Sequence, residues 1–168
     1  MISSLPLPVD LSRPGYRLRR AAPDDLRSIV ALLADDPIAA ARGESDAPEA
    51  AGDYRAAFDD AVADPSNEIV VAVDARGELA ATMQLTRIPG LARRGATRLL
   101  VEAVRVAAAH RSGGLGTAML RWTMGPAAEA TGAALVQLTS DEQRADAHRF
   151  YERLGFVGSH RGFKHRVR

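Results

Sequence analysis

The sequence predicts a layered α/β sandwich of the α+β class, and two observations carry this prediction. The chain has 168 residues, no cysteine and a hydrophobic fraction of 46%. A domain of this length can bury enough apolar surface to fold without disulfides or thiolate-bound metals. Along the chain, alternating segments joined by tight turns are interleaved with segments of helical periodicity, in the order βααβββαβαβ(β). Hairpins combined with a crossover helix favour one mixed domain, expected over residues 16–168.

The first half of the chain is predicted to form an arm, a strand, two helices and a hairpin. Three prolines interrupt the arm, which is therefore expected to be extended. A Pro-Asp-Asp sequence is typical of a helix start, because proline fits the first turn and acids favour the positive end of the helix dipole. The predicted ranges are 1–15 for the arm, 16–20 for the strand, 23–35 for the helix, 38–50 for a loop, 53–63 for the second helix, and 68–73 with 78–86 for the hairpin.

The second half is predicted to form a long strand, a helix that begins at a glycine turn, a further strand and helix, and two closing strands. Apolar residues at helical spacing place Trp122 in the core. Gly125 and Pro126 lie inside the first of these helices, where a proline costs about 3 kcal/mol, so a kink or two segments are expected. The predicted ranges are 98–106, 114–132, 134–139, 141–154, 156–157 and 162–167.

The formal net charge of +1 conceals an uneven distribution of charge along the chain. Residues 24–64 carry eleven acids and three arginines, a net of −8, whereas residues 87–121 and 144–168 have nets of +6 and +5. Charged residues of this kind commonly solvate helix faces. The alternative is that the basic segments meet an anionic ligand and the acidic segment a cationic one.

Composition also disfavours several classes of partner. The basic segments have few aromatic residues for base stacking, and the pI of 8.3 is lower than is typical of nucleic-acid-binding domains. No apolar run approaches the roughly 18 residues that a membrane span needs. The N-terminus lacks a basic region and contains prolines, which makes it a poor signal peptide. We therefore expect a cytoplasmic protein that binds neither nucleic acid nor membrane.

A glycine-rich turn at residues 111–117 is the most informative local feature. It joins the strand that ends at Val106 to the following helix, and such a junction directs backbone N–H groups and the helix dipole at one point, which favours a phosphate. A P-loop would need Lys and Ser/Thr after Gly116, and a dinucleotide fingerprint would need glycine in place of Met119. The pattern that fits is Arg-x-x-Gly-x-Gly, with Arg111, Gly114 and Gly116.

A second motif, Ala147-His-Arg-Phe-Tyr-Glu-Arg-Leu-Gly-Phe156, begins 31 residues after Gly116. The two motifs together resemble the GNAT superfamily of acetyl-CoA-dependent N-acetyltransferases, over residues 16–167. The resemblance implies a mixed, mostly antiparallel sheet of six or seven strands with helices on both faces, splayed between strands 4 and 5. It also implies acetyl-CoA as the cosubstrate and no metal. One departure is Arg144, which stands where many members have an asparagine that contacts the cofactor.

The resemblance assigns most of the cofactor site to the long strand and the turn. N–H groups from Ser112 to Thr117 would hold the pyrophosphate, and Arg144 could reach a phosphate in place of the missing asparagine. The strand edge would pair with the amide-bearing pantetheine, and the Val106 N–H would polarise the thioester carbonyl. The residues implied are Val104, Arg105, Val106, Arg111, Ser112, Gly113, Gly114, Leu115, Gly116, Thr117 and Arg144.

Two residues are predicted to be catalytic. Glu102 stands alone in an apolar strand, where an unpaired carboxylate is costly and burial raises the pKa of such a group towards that of a useful base. The alternative for Glu102 is a structural ion pair with an arginine of another strand. Tyr151 is implied by the resemblance to be the acid that protonates the leaving thiolate. The alternative for Tyr151 is a half-buried ring that anchors the last helix.

These residues predict direct acetyl transfer to the primary amine of a small molecule, without a covalent enzyme intermediate. The acidity of residues 24–64 favours a cationic amine as acceptor, because the resemblance places the acceptor near the first two helices. A protein amine remains open as acceptor, as does a non-catalytic acyl-CoA sensor or a nucleotide-binding domain. The apolar arm and the edge strands suggest a homodimer.

Overall fold

The fold is known from a computed structural model, which describes residues 1–36, 45–165 and 167. The chain divides into two compact units, Met1–Gln137 and Leu138–Arg168. The predicted loop at 38–50 lies partly outside the described residues. Within the described residues, no helix combines the length and the apolar character that crossing a membrane requires.

A six-stranded sheet forms the centre of the fold, with the strands ordered as they occur along the chain. The first five strands pair antiparallel with their neighbours. The strands are β1 (Val9–Asp10), β2 (Tyr16–Arg20), β3 (Asn67–Asp74), β4 (Leu79–Ile88), β5 (Arg98–Val106) and β6 (Leu135–Leu138). The helices are α1 (Leu26–Ala34), α2 (Ala51–Ala63), α3 (Leu115–Trp122), α4 (Ala128–Thr131) and α5 (Ala145–Arg153). The predicted fold class is confirmed.

Helices cover both faces of the sheet within the first unit. On one face, Ile29 of α1 and Phe58 of α2 pack with Val71 of β3. On the other face, Met83 of β4 is fully buried and its sulfur accepts a hydrogen bond from Thr123, which directly follows α3. Complete burial of side chains of this size contributes about 1.5–3 kcal/mol each, so these two layers supply most of the driving force for folding.

The helix predicted over residues 114–132 is divided into segments after α3, which is one of the two outcomes expected from Pro126. Residues Thr123–Ala127 form a single π-helical segment that contains Pro126, and α4 continues from it. A proline removes one backbone donor and crowds the preceding turn, and a widened turn relieves both. Gly132 ends the helix with a φ of 65°, the left-handed conformation that glycine adopts without strain. Trp122 is buried, as its spacing predicts.

The two ends of the chain differ from the prediction. The arm contributes β1 to the sheet and buries three apolar side chains, those of Ile2, Leu5 and Leu11. Their burial removes these three side chains from the apolar surface of the arm on which the suggested homodimer rests. The closing strands predicted at 156–157 and 162–167 are wrong, because residues 156–165 and 167 contain no strand. Three glycines in residues 155–162 weaken any strand there.

A bidentate ion pair joins β2 to the start of α1. Arg19 donates to both carboxylate oxygens of Asp25, at 2.6 and 2.8 Å. The same carboxylate accepts the Ala22 N–H at 2.7 Å. The hydrogen bond from Arg19 holds the pKa of Asp25 below its ordinary value. Asp25 therefore fixes the entry of the chain into α1.

Asp25→Asn is expected to lower the free energy of unfolding by about 1–2 kcal/mol at pH 7, because it removes a charge-assisted hydrogen bond. Since the folded pKa is depressed, this contribution is complete above the ordinary aspartate pKa of about 3.9 and is lost as the pH falls through the folded value. Urea unfolding at several pH values measures the difference. The exposed neighbour Asp24→Asn is the control and should change stability by less than about 0.5 kcal/mol. A deficit of Asp25→Asn that persists undiminished at pH 2 would contradict this account.

Candidate active site

A bulge in β5 marks the centre of the candidate site. Glu102 lies opposite Gln84, whereas Arg105 lies opposite Thr82, so β5 contains one residue more than β4 between these pairs. Ala103 occupies the bulge with a φ of 51°, a left-handed conformation that costs a non-glycine residue about 1 kcal/mol or more. Such strain recurs at functional sites, and a bulge redirects the strand that follows it.

Beyond the bulge, one edge of β5 carries backbone groups that face away from β4. Ala107 donates its N–H to Ala80 of β4 at 2.9 Å. Because successive residues of a strand alternate, the N–H and C=O of Val106 face the opposite edge. The Ala134 N–H donates to the Thr97 carbonyl, so that β6 begins beside the start of β5. Strand β6 is four residues long, too short to reach Val106 at the end of β5. Within the described part of the first unit, no strand therefore covers the Val106 edge. The predicted strands 4 and 5 correspond to β5 and β6, because the arm adds β1 to the sheet, and a splay between them requires such an uncovered edge.

The glycine turn follows directly and opens α3. Gly114 is the N-cap residue, with a φ of 83°, and Ser112 has a φ of 60°. The first intrahelical bond runs from the Ala118 N–H to the Gly114 carbonyl at 3.0 Å. The N–H groups of the first turn therefore have no partner within the helix and are available to an anion.

The arm also contacts this turn, a feature that sequence reasoning missed. Arg13 donates its Nε–H to the Gly113 carbonyl at 2.7 Å. Arg13 and Arg121 line a shallow cavity of about 220 Å³ together with Ser12, Gly114, Thr117 and Ala118. Two arginines beside the exposed N–H groups give this cavity a positive potential. No local pattern marks Arg13, because its partner lies 100 residues away.

The acidic and basic segments meet each other at the end of α1. Arg111 donates to Asp35 at 2.9 Å and to the Val106 carbonyl at 2.9 Å. Arg105 lies 3.6 Å from the carboxylate of Asp36. Two acids of the −8 segment are thus paired with arginines of the predicted cofactor segment. Because arginines pair with these two carboxylates, neither contributes a free negative charge that would attract a cationic acceptor.

Glu102 lies on the sheet face that α1 and α2 cover. Directly opposed residues of neighbouring strands lie on the same face of a sheet, and Glu102 is opposite Gln84, which in turn is opposite Ile69. Ile69 packs against the cluster that contains Ile29 of α1 and Phe58 of α2. The Glu102 side chain is exposed, so the burial that the sequence argument assumed is wrong. Among the described residues it makes no hydrogen bond or ion pair, so the structural ion pair considered as an alternative is absent there.

Tyr151 and Arg144 belong to the second unit and are described within it. Arg144 is the N-cap residue of α5, and its carbonyl accepts the His148 N–H at 3.0 Å. The Tyr151 ring packs edge-on against Phe156, with ring centroids 5.9 Å apart. The second unit therefore orients Tyr151 through the aromatic residues of the motif.

The bulged strand and the anion-accepting turn together define a domain built to hold an extended cosubstrate that carries phosphate. A family model described as the acetyltransferase (GNAT) family matches residues 26–156. The chain therefore belongs to the GNAT family of acetyltransferases. No curated protein matches it.

Solved structures extend this comparison. A transcriptional regulator from Bacillus halodurans is 37% identical with a TM-score of 0.84, covering 90% of this chain and 99% of its own. A candidate acetyltransferase from Agrobacterium tumefaciens is 30% identical with a TM-score of 0.70, covering 89% and 99%. A predicted acetyltransferase from Clostridium acetobutylicum, solved with acetyl-CoA, shares the fold at 15% identity with a TM-score of 0.66, covering 90% and 96%. GNAT acetyltransferases use acetyl-CoA.

The described residues fit acetyl-CoA. The turn offers backbone N–H donors, and the adjoining cavity is lined by two arginines and no acid. The Val106 N–H faces the uncovered edge of β5, where the Val106 carbonyl accepts a bond from Arg111. Pyrophosphate and amide groups need these three kinds of partner.

Proposed function

We propose that this chain is an N-acetyltransferase that moves the acetyl group of acetyl-CoA to the primary amine of a small molecule, by direct attack in a ternary complex. The observation that carries the proposal is the continuity of residues 102–117. Along this stretch an exposed carboxylate without a partner among the described residues, an uncovered strand edge and an anion-accepting turn follow one another. The acetyl group would thus lie between its base and its phosphate anchor.

In this proposal each residue has one role. Glu102 accepts a proton from the acceptor ammonium, directly or through one water, which leaves a neutral amine. The amine nitrogen forms a bond to the thioester carbon while the Val106 N–H stabilises the charge that develops on oxygen. The C–S bond breaks and the thiolate takes the Tyr151 proton. The nitrogen releases its second proton as the amide forms, and this restores the phenol.

The turn and its surroundings provide binding and orientation. N–H groups from Ser112 to Thr117 and the Arg111 guanidinium would hold the pyrophosphate, and Arg144 would add a second cation. Holding two reactants in line supplies a large part of the rate in reactions of this type. The edge of Val104–Val106 would align the pantetheine arm in the manner of an added strand.

Three measurements test the proposal. Isothermal titration calorimetry should show 1:1 binding of acetyl-CoA and of CoA. Release of free thiol in the presence of amines should identify acceptors, and mass spectrometry of the product should show one added acetyl group on nitrogen. Absence of acetyl-CoA binding by the full chain would overturn the proposal.

A second candidate is a regulatory acyl-CoA sensor, favoured by the 37% identity to a transcriptional regulator. A sensor should bind acetyl-CoA without releasing thiol in the presence of any amine. It should also change its affinity for a DNA or protein partner when acetyl-CoA is present. Turnover with a small amine would decide against it.

A further inference from the structure

A row of polar side chains crosses three strands on the face that bears Glu102. Asn67 of β3 lies opposite Thr86 of β4, and Gln84 of β4 lies opposite Glu102 of β5. All four project from the face that α1 and α2 cover, because Asn67 alternates with Ile69 and Val71 of that core. Polar residues at four neighbouring positions interrupt a face that is otherwise apolar along β3.

Asn67 fixes the orientation of Gln84. Its side-chain oxygen accepts a hydrogen bond from the Gln84 amide nitrogen at 3.0 Å and from the Thr86 hydroxyl at 2.6 Å. Both lone pairs of that oxygen are then in use. The amide nitrogen of Gln84 is therefore held by Asn67 of β3, which leaves the Gln84 amide oxygen as the atom that can accept a hydrogen bond from another group.

Two hydrogen-bond acceptors thus lie side by side. Directly opposed residues of antiparallel strands have Cβ atoms about 4.5–5.5 Å apart, so the side chains of Gln84 and Glu102 are cross-strand neighbours. Among the described residues, none donates a hydrogen bond to either group. The charged residue that follows on this face, Arg105, is paired with Asp36. Two adjacent acceptors without a donor between them favour a ligand that brings several N–H groups.

The position of this pair relates it to the acyl site. Glu102 is the last residue of β5 before the bulge at Ala103, and Val104–Val106 follow immediately. A group held between Gln84 and Glu102 would therefore lie next to the strand edge to which the thioester is assigned. The placement of the thioester at this strand edge, and with it the inference below, rests on the proposed function.

We infer that Gln84, oriented by Asn67, selects an amine over a hydroxyl as the acetyl acceptor. An ammonium group can donate one hydrogen to Glu102 and another to Gln84 at the same time. After Glu102 has taken its proton, the neutral amine keeps a hydrogen bond to Gln84, which directs the nitrogen lone pair. A hydroxyl has a single hydrogen and can donate to only one of the two acceptors at a time. Gln84 is thus assigned as the residue that orients the acceptor nitrogen in the N-acetylation proposed above.

The experiment uses four matched pairs of an amine and its alcohol. These are tryptamine with tryptophol, benzylamine with benzyl alcohol, 1,5-diaminopentane with 1,5-pentanediol, and glucosamine with glucose. Thiol release gives kcat and KM for each compound with the wild-type chain. The amine with the highest kcat/KM is then used with every variant, and acetyl-CoA binding is measured by calorimetry in parallel.

Gln84→Leu should raise KM for that amine about tenfold with kcat changed less than about threefold, since a hydrogen bond made in both ground and transition states is lost. The kcat/KM for the matched alcohol should not fall. The ratio of kcat/KM for the amine to that for the alcohol should therefore decrease about tenfold. The dissociation constant of acetyl-CoA should stay unchanged, which also reports that the variant is folded.

Asn67 is a positioning residue, and its variants separate orientation from structure. Asn67→Leu should raise KM for the amine as Gln84→Leu does. Asn67→Asp keeps the oxygen that accepts from Gln84 and should restore a KM within about threefold of the wild type. Thr86→Val is the matched control, because it removes the other bond to Asn67 and leaves the Gln84 bond in place. It should change KM less than twofold.

The outcomes separate this inference from the proposed function. If the wild type acetylates an amine and Gln84→Leu leaves KM and the amine preference unchanged, the inference is wrong and the proposed function stands. If the Asn67 variants and Thr86→Val all raise KM equally, Gln84 orientation is not the cause and the inference is wrong. If acetyl-CoA binds but none of the four amines is acetylated, the small-amine assignment and the inference fall together.

Discussion

Glu102→Gln is expected to lower kcat/KM for an amine acceptor by about 10²–10⁴ at pH 7 while the dissociation constant of acetyl-CoA stays unchanged. The substitution keeps the size and shape of the side chain and replaces the proton acceptor with a neutral amide. The acetyl-CoA site depends on the turn and the strand edge, which this change does not touch. The loss should therefore appear in turnover and not in cosubstrate binding.

The pH dependence gives this expectation a specific signature. If Glu102 serves to deprotonate the acceptor ammonium, the variant relies on amine that is already neutral in solution. That fraction rises about tenfold per pH unit below the pKa of an alkyl amine, near 10. The deficit of Glu102→Gln should thus shrink steadily between pH 7 and pH 9, as measured by thiol release.

The matched control is Glu129→Gln, which removes an exposed carboxylate from α4. It should leave kcat/KM and its pH profile unchanged. Full activity of Glu102→Gln at pH 7 would refute the assignment. A parallel loss of acetyl-CoA affinity would do the same, because it would indicate a structural effect on β5.

Features that depend on a few adjacent residues could be predicted from the sequence. The glycine turn and the division of the helix at Pro126 are conformational requirements of single residues, and both are present. Strand β5 extends over Arg98–Val106 as predicted, because a long apolar run between turn signals has few alternatives. Local chemistry determines such elements almost alone.

Contacts between distant segments could not be predicted in the same way. The Arg13 bond to Gly113 and the Arg111 bond to Asp35 join residues 100 and 76 positions apart. The Gln84 bond to Asn67 depends on the register of the hairpin, which a shift of one residue would abolish. The bulge at Ala103 could not be predicted from a glycine, because strand β5 contains none. Partners of this kind are selected by the tertiary fold.

The segmental charges required the largest revision. A net of −8 over residues 24–64 and +6 over 87–121 suggested two separate binding sites. In the structure, Asp35 and Asp36 neutralise Arg111 and Arg105 where the segments meet. Opposite charges in one small domain pair with each other when the fold brings them within reach. The recognition of an amine is therefore better argued from Gln84 and Glu102 than from net charge.

The glycine turn allows a matched comparison between Gly114 and Gly52. An added Cβ would meet no heavy atom within 4 Å at either position, so that steric crowding does not distinguish them. They differ in backbone conformation, because Gly114 has a φ of 83° whereas Gly52 lies inside α2. The same change to alanine therefore isolates the effect of the left-handed conformation.

Gly114→Ala is expected to raise the dissociation constant of acetyl-CoA about tenfold and to lower the free energy of unfolding by about 1–2 kcal/mol. An alanine relieves its strain by moving towards negative φ, and this rotates the N–H groups of the first turn of α3 away from the point where they converge. Gly52→Ala should leave the dissociation constant unchanged and raise the free energy of unfolding by about 0.5–1 kcal/mol, as for other helical glycines. Calorimetry and urea unfolding measure both quantities. If Gly114→Ala loses stability but binds acetyl-CoA as tightly as the wild type, the converging N–H groups are not the anchor of the pyrophosphate, and the arginines of the neighbouring cavity must carry that role.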